Sequence, residues 1–249
     1  MPFSIASFSE SVAKDGLTAT AATAGATWIG TIVGDNITLS KDGSIFAVYL
    51  QSAAVANLDE GRLRKTNSQD WIHVRSGADQ TTIPKPLLNC NYGCRKNDVL
   101  NCEIDNGNNA QLDGMLFWYG NPQAISQVPP AVPPASAFWV SGAGGTAAVA
   151  NTWTGSVVTW THNFQPAKTY RVLGMVGWSA TGYGMGIDYR GSSNSEWEQF
   201  VPGIVCGDTV NCSNPYYGNF GDFQGSNPPN LYILASGTDA AQYISLLVV

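Results

Sequence analysis

Charged residues are scarce in this chain: they make up 12% of its 249 residues, against roughly 25% in an average soluble protein. Only 12 residues are Lys or Arg, and the net charge is −6. Affinity for phosphate backbones depends on clustered Lys and Arg. The nearest such cluster, Arg62, Arg64 and Lys65, is flanked by Asp59 and Glu60. We interpret it as a solvated loop, and the composition argues against direct nucleic-acid binding.

Long apolar runs are missing as well. No stretch approaches the 18 or so consecutive apolar residues that predict a membrane-spanning helix. The first residues, MPFS, also lack the basic region that begins a secretory signal peptide, and no apolar h-region follows. We therefore expect a protein made in the cytoplasm, or one whose leader has been removed.

Histidine is nearly absent, which limits catalytic and metal chemistry. The two histidines, His73 and His162, stand in unrelated contexts, whereas a tandem metalloenzyme needs clustered His and Glu ligands in each copy. No nucleophile elbow, P-loop or dinucleotide motif occurs. Carboxylate pairs such as Asp59 and Glu60 suit a glycosidase, but 18 acidic residues produce such pairs by chance. The sequence predicts no enzyme, no cofactor and no metal site, with a glycan-processing enzyme as the last alternative.

Cysteine supplies no clear framework, because the count of five is odd. Cys90 and Cys94 are close in sequence, and so are Cys206 and Cys212. Each pair is predicted to form either a local disulfide or two buried thiols, which leaves Cys102 as a buried strand residue. These spacings differ from the C-x₂-C pairs of a zinc ribbon.

What the chain does contain is a repeat of itself. Three blocks recur in the same order: 27–33 as 152–158, 64–71 as 190–197, and 110–118 as 241–249. In the first block TWIGTIV becomes TWTGSVV, so four of the seven positions are identical. Collinear self-similarity of this kind indicates an internal duplication and two similar domains.

Short runs of β-branched and aromatic residues, separated by turn residues, predict an all-β protein. The predicted strands are 26–33, 37–39, 44–50, 71–74, 87–89, 99–104 and 112–119, then 138–140, 152–161, 170–178, 186–189, 197–201, 231–235 and 242–249. Seven or so short strands in each half suit a β-sandwich. Long connections such as 53–69 and 201–230, and the lack of an immunoglobulin Cys…Trp…Cys spacing, favour two tandem jelly rolls related by duplication.

The predicted organisation has four parts: an N-terminal arm over 1–25, a first jelly-roll sandwich over 26–122, a Pro-rich linker over 123–136, and a second sandwich over 137–249. Phe3, Ile5 and Phe8 are the only strong apolar anchors of the arm, which either orders against a partner or stays a disordered tail. The PPAVPP stretch of the linker favours a stiff, extended spacer.

An aromatic, Gly-rich segment is the candidate ligand site. It spans 216–223, YYGNFGDF, and its rings, with one from an earlier Gly-flanked position, are Tyr216, Tyr217, Phe220, Phe223 and Tyr183. Exposed rings stack on sugars, and Asn or Asp supplies hydrogen bonds. The preferred alternative is that these rings anchor loops or fill a subunit interface, where Tyr and Phe are enriched.

Taken together, these features resemble the double jelly-roll major capsid proteins of tailless icosahedral viruses, many of which carry an internal membrane. The resemblance rests on the two collinear β-rich copies, the Pro-rich spacer 129–134, the N-terminal arm and a final strand that reaches Val249. It covers the whole chain, but it does not depend on any short motif.

The resemblance implies a structural virion protein, made in the host cytoplasm, whose homotrimers form capsomers of pseudo-hexagonal outline. Its partners would be neighbouring capsomers and other capsid proteins, such as penton or minor proteins. The arm with Phe3, Ile5 and Phe8 would point inward, toward a lipid membrane or adjacent capsomers, and no catalytic residues are implied. The residues alone keep a second interpretation open, a tandem β-sandwich glycan-binding or fibre protein.

Overall fold

The computed structural model is all-β and divides into two compact units. One unit is Ile5–Pro122, and the other is Gln123–Val249 together with Met1–Ser4. The structure describes residues 3–10, 16–52, 60–75, 88–105, 113–122, 124–130, 134–189, 201–206 and 214–249. These residues form nineteen strands and no helix.

The first ten strands form two sheets. They are β1 Phe3–Glu10, β2 Thr18–Thr20, β3 Gly30–Val33, β4 Asn36–Leu39, β5 Gly43–Ser52, β6 Glu60–Lys65, β7 Ile72–Arg75, β8 Leu88–Cys94, β9 Val99–Asp105 and β10 Asp113–Gly120. One sheet has the order β1-β10-β5-β8, and the other has the order β3-β4-β9-β6-β7 with β2 also paired to β9. Strand β9 shows the alternation of a half-buried strand, because Leu100, Cys102 and Ile104 point inward and their neighbours are half-exposed.

The remaining nine strands form the sheets of the other unit. They are β11 Phe138–Gly144, β12 Thr154–Ser156, β13 Val158–Trp160, β14 Thr169–Ser179, β15 Gly182–Asp188, β16 Gly203–Val205, β17 Tyr216–Gln224, β18 Asn230–Ala235 and β19 Gln242–Val248. The five-stranded sheet has the order β13-β11-β19-β14-β17, and the four-stranded sheet has the order β12-β18-β15-β16.

The two units connect their strands in the same way. In one sheet of each unit the first strand lies beside the last: the order β1-β10-β5-β8 corresponds to β11-β19-β14-β17. In the other sheet β4-β9-β6-β7 corresponds to β12-β18-β15-β16. Each unit therefore has two sheets between which the chain passes several times, with one same-sheet hairpin at the corresponding place, β6–β7 or β15–β16. This arrangement is consistent with a β-sandwich.

The core of each unit lies between its two sheets. In the first unit a Cβ on Gly61 of β6 would come within 2.7 Å of Met115 on β10, and the Cys102 Sγ atom lies 3.9 Å from the Met115 sulfur. In the second unit a Cβ on Gly177 of β14 would come within 2.7 Å of the Met185 sulfur on β15. At both glycines the facing sheet supplies the side chain that fills the core, so the sheets pack closely.

The sheets of the two units differ in how many of their faces are covered. In β10 every residue from Gly114 to Gly120 is buried, and in β5 the residues Ile45–Leu50 are buried too. Both faces of these strands are therefore shielded from solvent. In β19, the counterpart of β10, the first four residues alternate between buried and accessible, and Tyr243 is 51% exposed.

Five strands lie where the sequence predicted none: β1, β2, β6, β16 and β17. Residues 3–10, assigned to a projecting arm, instead form β1, where Phe3, Ile5 and Phe8 are fully buried. The serines between them are buried as well, and their small size lets the strand be covered on both faces. Residues 60–65, assigned to an irregular, solvated connection, form β6, in which half-exposed Arg62 and Arg64 alternate with buried neighbours.

Candidate functional site

The aromatic segment predicted as a ligand loop is strand β17, and most of its rings belong to the core. Tyr216, Phe220 and Phe223 are at most 2% exposed, and Tyr183 on β15 is 3% exposed. Phe223 contacts Phe164 and Tyr170 at ring-centroid distances of 5.0 and 5.5 Å. The glycines of β17 had suggested a loop, but β17 pairs with β14 on both sides of a register shift, and Gly221 is paired with Val172 at the edge of that shift. These four rings are therefore not available for stacking on a sugar in this conformation.

Tyr217 is the exception among the five candidates. It is half-buried and points to the opposite side of β17, where its ring meets the Trp139 ring edge-on at 6.4 Å and 72°. Its backbone exchanges two hydrogen bonds with Ser126, at 3.0 and 2.7 Å. This bridge covers part of the free edge of β17, which an unpaired edge strand would otherwise present to other chains.

Tyr217 and Trp139 belong to a larger surface on the outer side of the five-stranded sheet. Strand register aligns Trp139, Leu247, Gly174 and Tyr217 in one cross-strand row, and Ala143, Tyr243 and Trp178 in another. Trp178 and Tyr243 contact each other at 5.3 Å. We call this surface the aromatic face; its accessible side chains are Trp139, Ser141, Val176, Trp178, Tyr217, Tyr243 and Ser245.

The aromatic face is uncharged over its centre. Between the two aromatic rows, the Ser141 and Ser245 hydroxyls hydrogen-bond each other at 2.8 Å. The charged side chains that the structure describes on this side of β14 and β17 are Arg171 and Asp222, at one end, and they pair with each other through two hydrogen bonds of 2.8 and 3.0 Å. The Asp222 carboxylate, by this hydrogen bond and its charge, raises the pKa of the Arg171 guanidinium.

The Ile5–Pro122 unit carries a charged surface instead. On the outer side of β6, the Arg62 Nε atom donates to a Glu103 carboxylate oxygen at 2.8 Å. The guanidinium carbons of Arg62 and Arg64 lie 4.3 and 4.1 Å from the Trp71 ring centroid, so the indole is in cation–π contact with both. A histidine nitrogen of His73 lies 2.9 Å from a Glu60 oxygen. Arg62 and His73 are each paired with a carboxylate, and the surface resembles a self-paired ladder more than a ligand site.

A shallow pocket of about 510 Å³ lies beside this ladder, lined by Lys65, Asn67, Gly93, Cys94, Arg95 and Asp98. The Lys65 ammonium donates to the Gly93 carbonyl at 3.0 Å and lies 3.8 Å from Asp98. The pocket is open and polar, and its central cation already has partners. Nothing in its geometry selects a particular ligand.

Of the two alternatives for Cys90 and Cys94, the structure has two thiols and not a local disulfide. Both residues lie on β8, and four strand residues span about 13 Å, beyond the roughly 7 Å that a disulfide tolerates between Cα atoms. Burial raises the pKa of Cys90 to about 11 and that of Cys94 to about 12, which makes them inert at neutral pH. Cys206 is a buried thiol, and Cys212 lies outside the described residues.

The histidines are placed in structural contacts. His162 packs among the rings of Phe138 and Phe164, each at 5.0 Å, and His73 faces Glu60. In the part of the chain that the structure describes, no three His, Cys, Asp or Glu side chains are grouped closely enough to hold a metal ion. Asp59, one half of the carboxylate pair noted above, lies outside the described residues.

Among the described residues, no helix has the length and apolarity needed to cross a membrane. Comparison with protein-family models gives no match to this chain. A search of curated proteins gives no match either.

Proposed function

We propose that this chain is a structural virion protein, a major capsid protein that self-assembles into trimeric capsomers of pseudo-hexagonal outline in an icosahedral shell. The observation that carries the proposal is the repeated strand order of the two units, β1-β10-β5-β8 with β4-β9-β6-β7 and β11-β19-β14-β17 with β12-β18-β15-β16. In each unit the first and last strands are neighbours, and the chain passes between the two sheets except at hairpins such as β6–β7 and β15–β16. Such a strand order supports a jelly roll built from Greek keys.

The repeated sequence blocks support a duplication at the origin of this arrangement. Residues 110–118 and 241–249 contribute to β10 and β19, which hold the same place in their sheets. Residues 27–33 and 152–158 contain β3 and β12; by strand order β12 corresponds to β4, the hairpin partner of β3, so this block agrees to within one strand. The block at 190–197 lies outside the described residues. Two similar sandwiches in one chain give a trimer six similar units, which suits a hexagonal lattice.

The proposed partners are further copies of this chain, first as a homotrimer and then as neighbouring capsomers, together with penton or minor capsid proteins. A contact with an internal membrane through Phe3, Ile5 and Phe8 would require β1 to leave its sheet, since all three side chains are fully buried there. We therefore base the proposal on lateral assembly and not on a membrane contact.

Negative-stain electron microscopy of the purified chain near neutral pH tests the proposal. We expect flat trimers of near-hexagonal outline. Particles that remain monomeric at high concentration would contradict it and favour the glycan-binding or fibre alternative, for which the accessible Trp139–Tyr217 pair is the relevant feature. In that case a glycan array with wild type and Tyr217→Ala should show binding that the substitution removes.

A further inference from the structure

The aromatic face is accessible to solvent, whereas the corresponding face of the other unit is buried over β10 and most of β5. The β1-β10-β5-β8 sheet and the β11-β19-β14-β17 part of the five-stranded sheet hold corresponding positions in the strand order. In the first, the chain itself buries both faces of β10 and most of β5. In the second, the inner face is buried but Trp139 and Tyr243 remain 43% and 51% exposed on the outer face. The second sheet thus lacks a cover that its counterpart has.

The chemistry of the aromatic face suits a copy of the same chain. The protein carries a net charge of −6, so two copies repel unless the contacting surfaces lack unpaired negative charge. The centre of the aromatic face has none, and Asp222 at its end is neutralised by Arg171. Trp and Tyr are also the residues enriched at the centres of protein interfaces, where charged residues are depleted.

The ring geometry favours a protein over a glycan as the occupant. A sugar chain lies best on rings that share a plane, but the Trp139 and Tyr217 rings meet at 72° and the Trp178 and Tyr243 rings at 42°. Each ring partly faces its neighbour. The remaining edges and gaps form an uneven surface, which side chains of a partner can fill as in a protein core.

The size of the aromatic face sets the strength of the contact. Five strands about 4.8 Å apart and roughly six residues of strand length give a face of about 480 Å². A stable two-protein complex buries about 800 Å² on each partner. One such contact is therefore weak alone, which fits a closed ring or a lattice, where each copy makes several contacts at once.

We propose that the aromatic face binds a second copy of this chain in a head-to-tail contact, so that a neighbour supplies the cover that the chain itself supplies for the β1-β10-β5-β8 sheet. The proposal rests on the proposed capsid function and names the surface through which that assembly occurs. A head-to-tail contact joins two different surfaces, and it closes into a ring when the rotation between copies permits. In a ring of three copies, each copy then covers the aromatic face of its neighbour.

Sedimentation velocity of the full chain over a concentration series, with electron microscopy of the same samples, tests this inference. We expect Trp139→Ala combined with Tyr243→Ala to raise the concentration needed for half-assembly by about tenfold or more, because the exposed anchors of the contact are lost. The matched pair Trp139→Phe with Tyr243→Phe keeps aromatic rings at both positions and should stay within about twofold of wild type. Val33→Ala, which truncates a 62% exposed side chain of the other unit, should leave assembly unchanged.

The outcomes separate the inference from the proposed function. Wild type that never assembles overturns both. Wild type that assembles, with the double Ala variant assembling at the same concentration and showing the same circular dichroism, overturns the inference alone. The inference is also overturned if the double Ala variant assembles normally but loses binding to neutral glycans on an array, since the face would then be a carbohydrate site.

Discussion

The two units share a strand order but differ in what they leave exposed. In the Ile5–Pro122 unit both faces of β10 and most of β5 are buried, and the other sheet carries polar pairs such as Arg62 with Glu103 and His73 with Glu60. The Gln123–Val249 unit leaves an uncharged aromatic face open, anchored by Trp139 and Tyr243. Strand connectivity is therefore common to both units, whereas surface chemistry is specific to each.

This difference separates the residues that determine the fold from those that determine interactions. Inward positions of corresponding strands are apolar in both units: Met115 on β10 and Leu246 on β19 are both fully buried. Outward positions have no such constraint, because a strand alternates its side chains between two faces. Tandem sandwiches can thus keep one core pattern and still present different surfaces to different neighbours.

The largest effect should come from truncating a buried side chain on a strand of one unit. We compare it with the truncation of an exposed side chain on the corresponding strand of the other unit. Trp118 on β10 is fully buried, whereas Tyr243 on β19 is half-exposed. We expect Trp118→Ala to lower the free energy of unfolding by about 3–5 kcal/mol, because it leaves a large cavity. Tyr243→Ala should lower it by about 1 kcal/mol or less. Urea unfolding with amide hydrogen exchange on β10 and β19 measures both, and equal losses would contradict the difference in burial.

A second comparison uses two residues of the same strand that belong to different units. Phe3 groups with Gln123–Val249 and packs on Phe220 at 5.6 Å, whereas Ile5 groups with the other unit. Phe3→Ala should reduce the stability of β17 by about 3 kcal/mol, and Ile5→Ala should reduce that of β10 by about 2–4 kcal/mol. Hydrogen exchange followed by mass spectrometry locates each loss. Both losses falling in one unit would show that β1 is not divided between them.

The sequence predicted the all-β class and most strands of both halves, because alternating or continuous apolar runs between turn residues mark them directly. Among the five strands that it missed, β1, β6 and β17 were missed for three different reasons. Buried serines made β1 resemble a tail, outward arginines made β6 resemble a solvated loop, and glycines made β17 resemble a loop. In each case long-range pairing with other strands overrides local composition.

The candidate site was harder to predict than the fold. Tyr217 was identified, but Trp139, Trp178 and Tyr243 were assigned only to strands. Their common surface depends on register between strands that are distant in sequence, including a shift between Val172 and Gly174. A one-residue change of register moves a side chain to the other face of the sheet. No local pattern of residues contains that information.

The smallest effects concern the dependence of the free energy of unfolding on pH. At acid pH it should depend on Asp239, and at alkaline pH on buried thiols. Burial favours a raised pKa for Asp239, but hydrogen bonds from Ser179 and from the backbone N–H of Ala241 outweigh it and lower this pKa. The folded state therefore gains stability above the usual pKa of an aspartate and loses it as pH falls through the lowered value. Acid should weaken the Gln123–Val249 unit first.

Loss of stability at alkaline pH is expected in the Ile5–Pro122 unit through its buried thiols, and burial also raises the pKa of Tyr189 in the other unit. Burial raises the pKa of Cys90 to about 11 and of Cys94 to about 12, from 9.0 for an ordinary thiol. The stabilisation is complete below pH 9 and is lost as pH rises toward these values, because the unfolded thiols ionise first. The urea midpoint should fall less steeply at acid pH in Asp239→Asn, and less steeply at alkaline pH in Cys94→Ala, than it does in wild type. Unchanged profiles in both variants would contradict the assignment.

The division of β1 has a consequence for synthesis on the ribosome. The Ser4 hydroxyl accepts a hydrogen bond from the Val201 backbone N–H, and the two residues are 197 positions apart. At about 5–20 residues per second, Ser4 leaves the ribosome roughly 10–40 seconds before its partner. Ser4 must stay available until Val201 has been translated, so the Gln123–Val249 unit is completed by residues that precede the other unit in the chain.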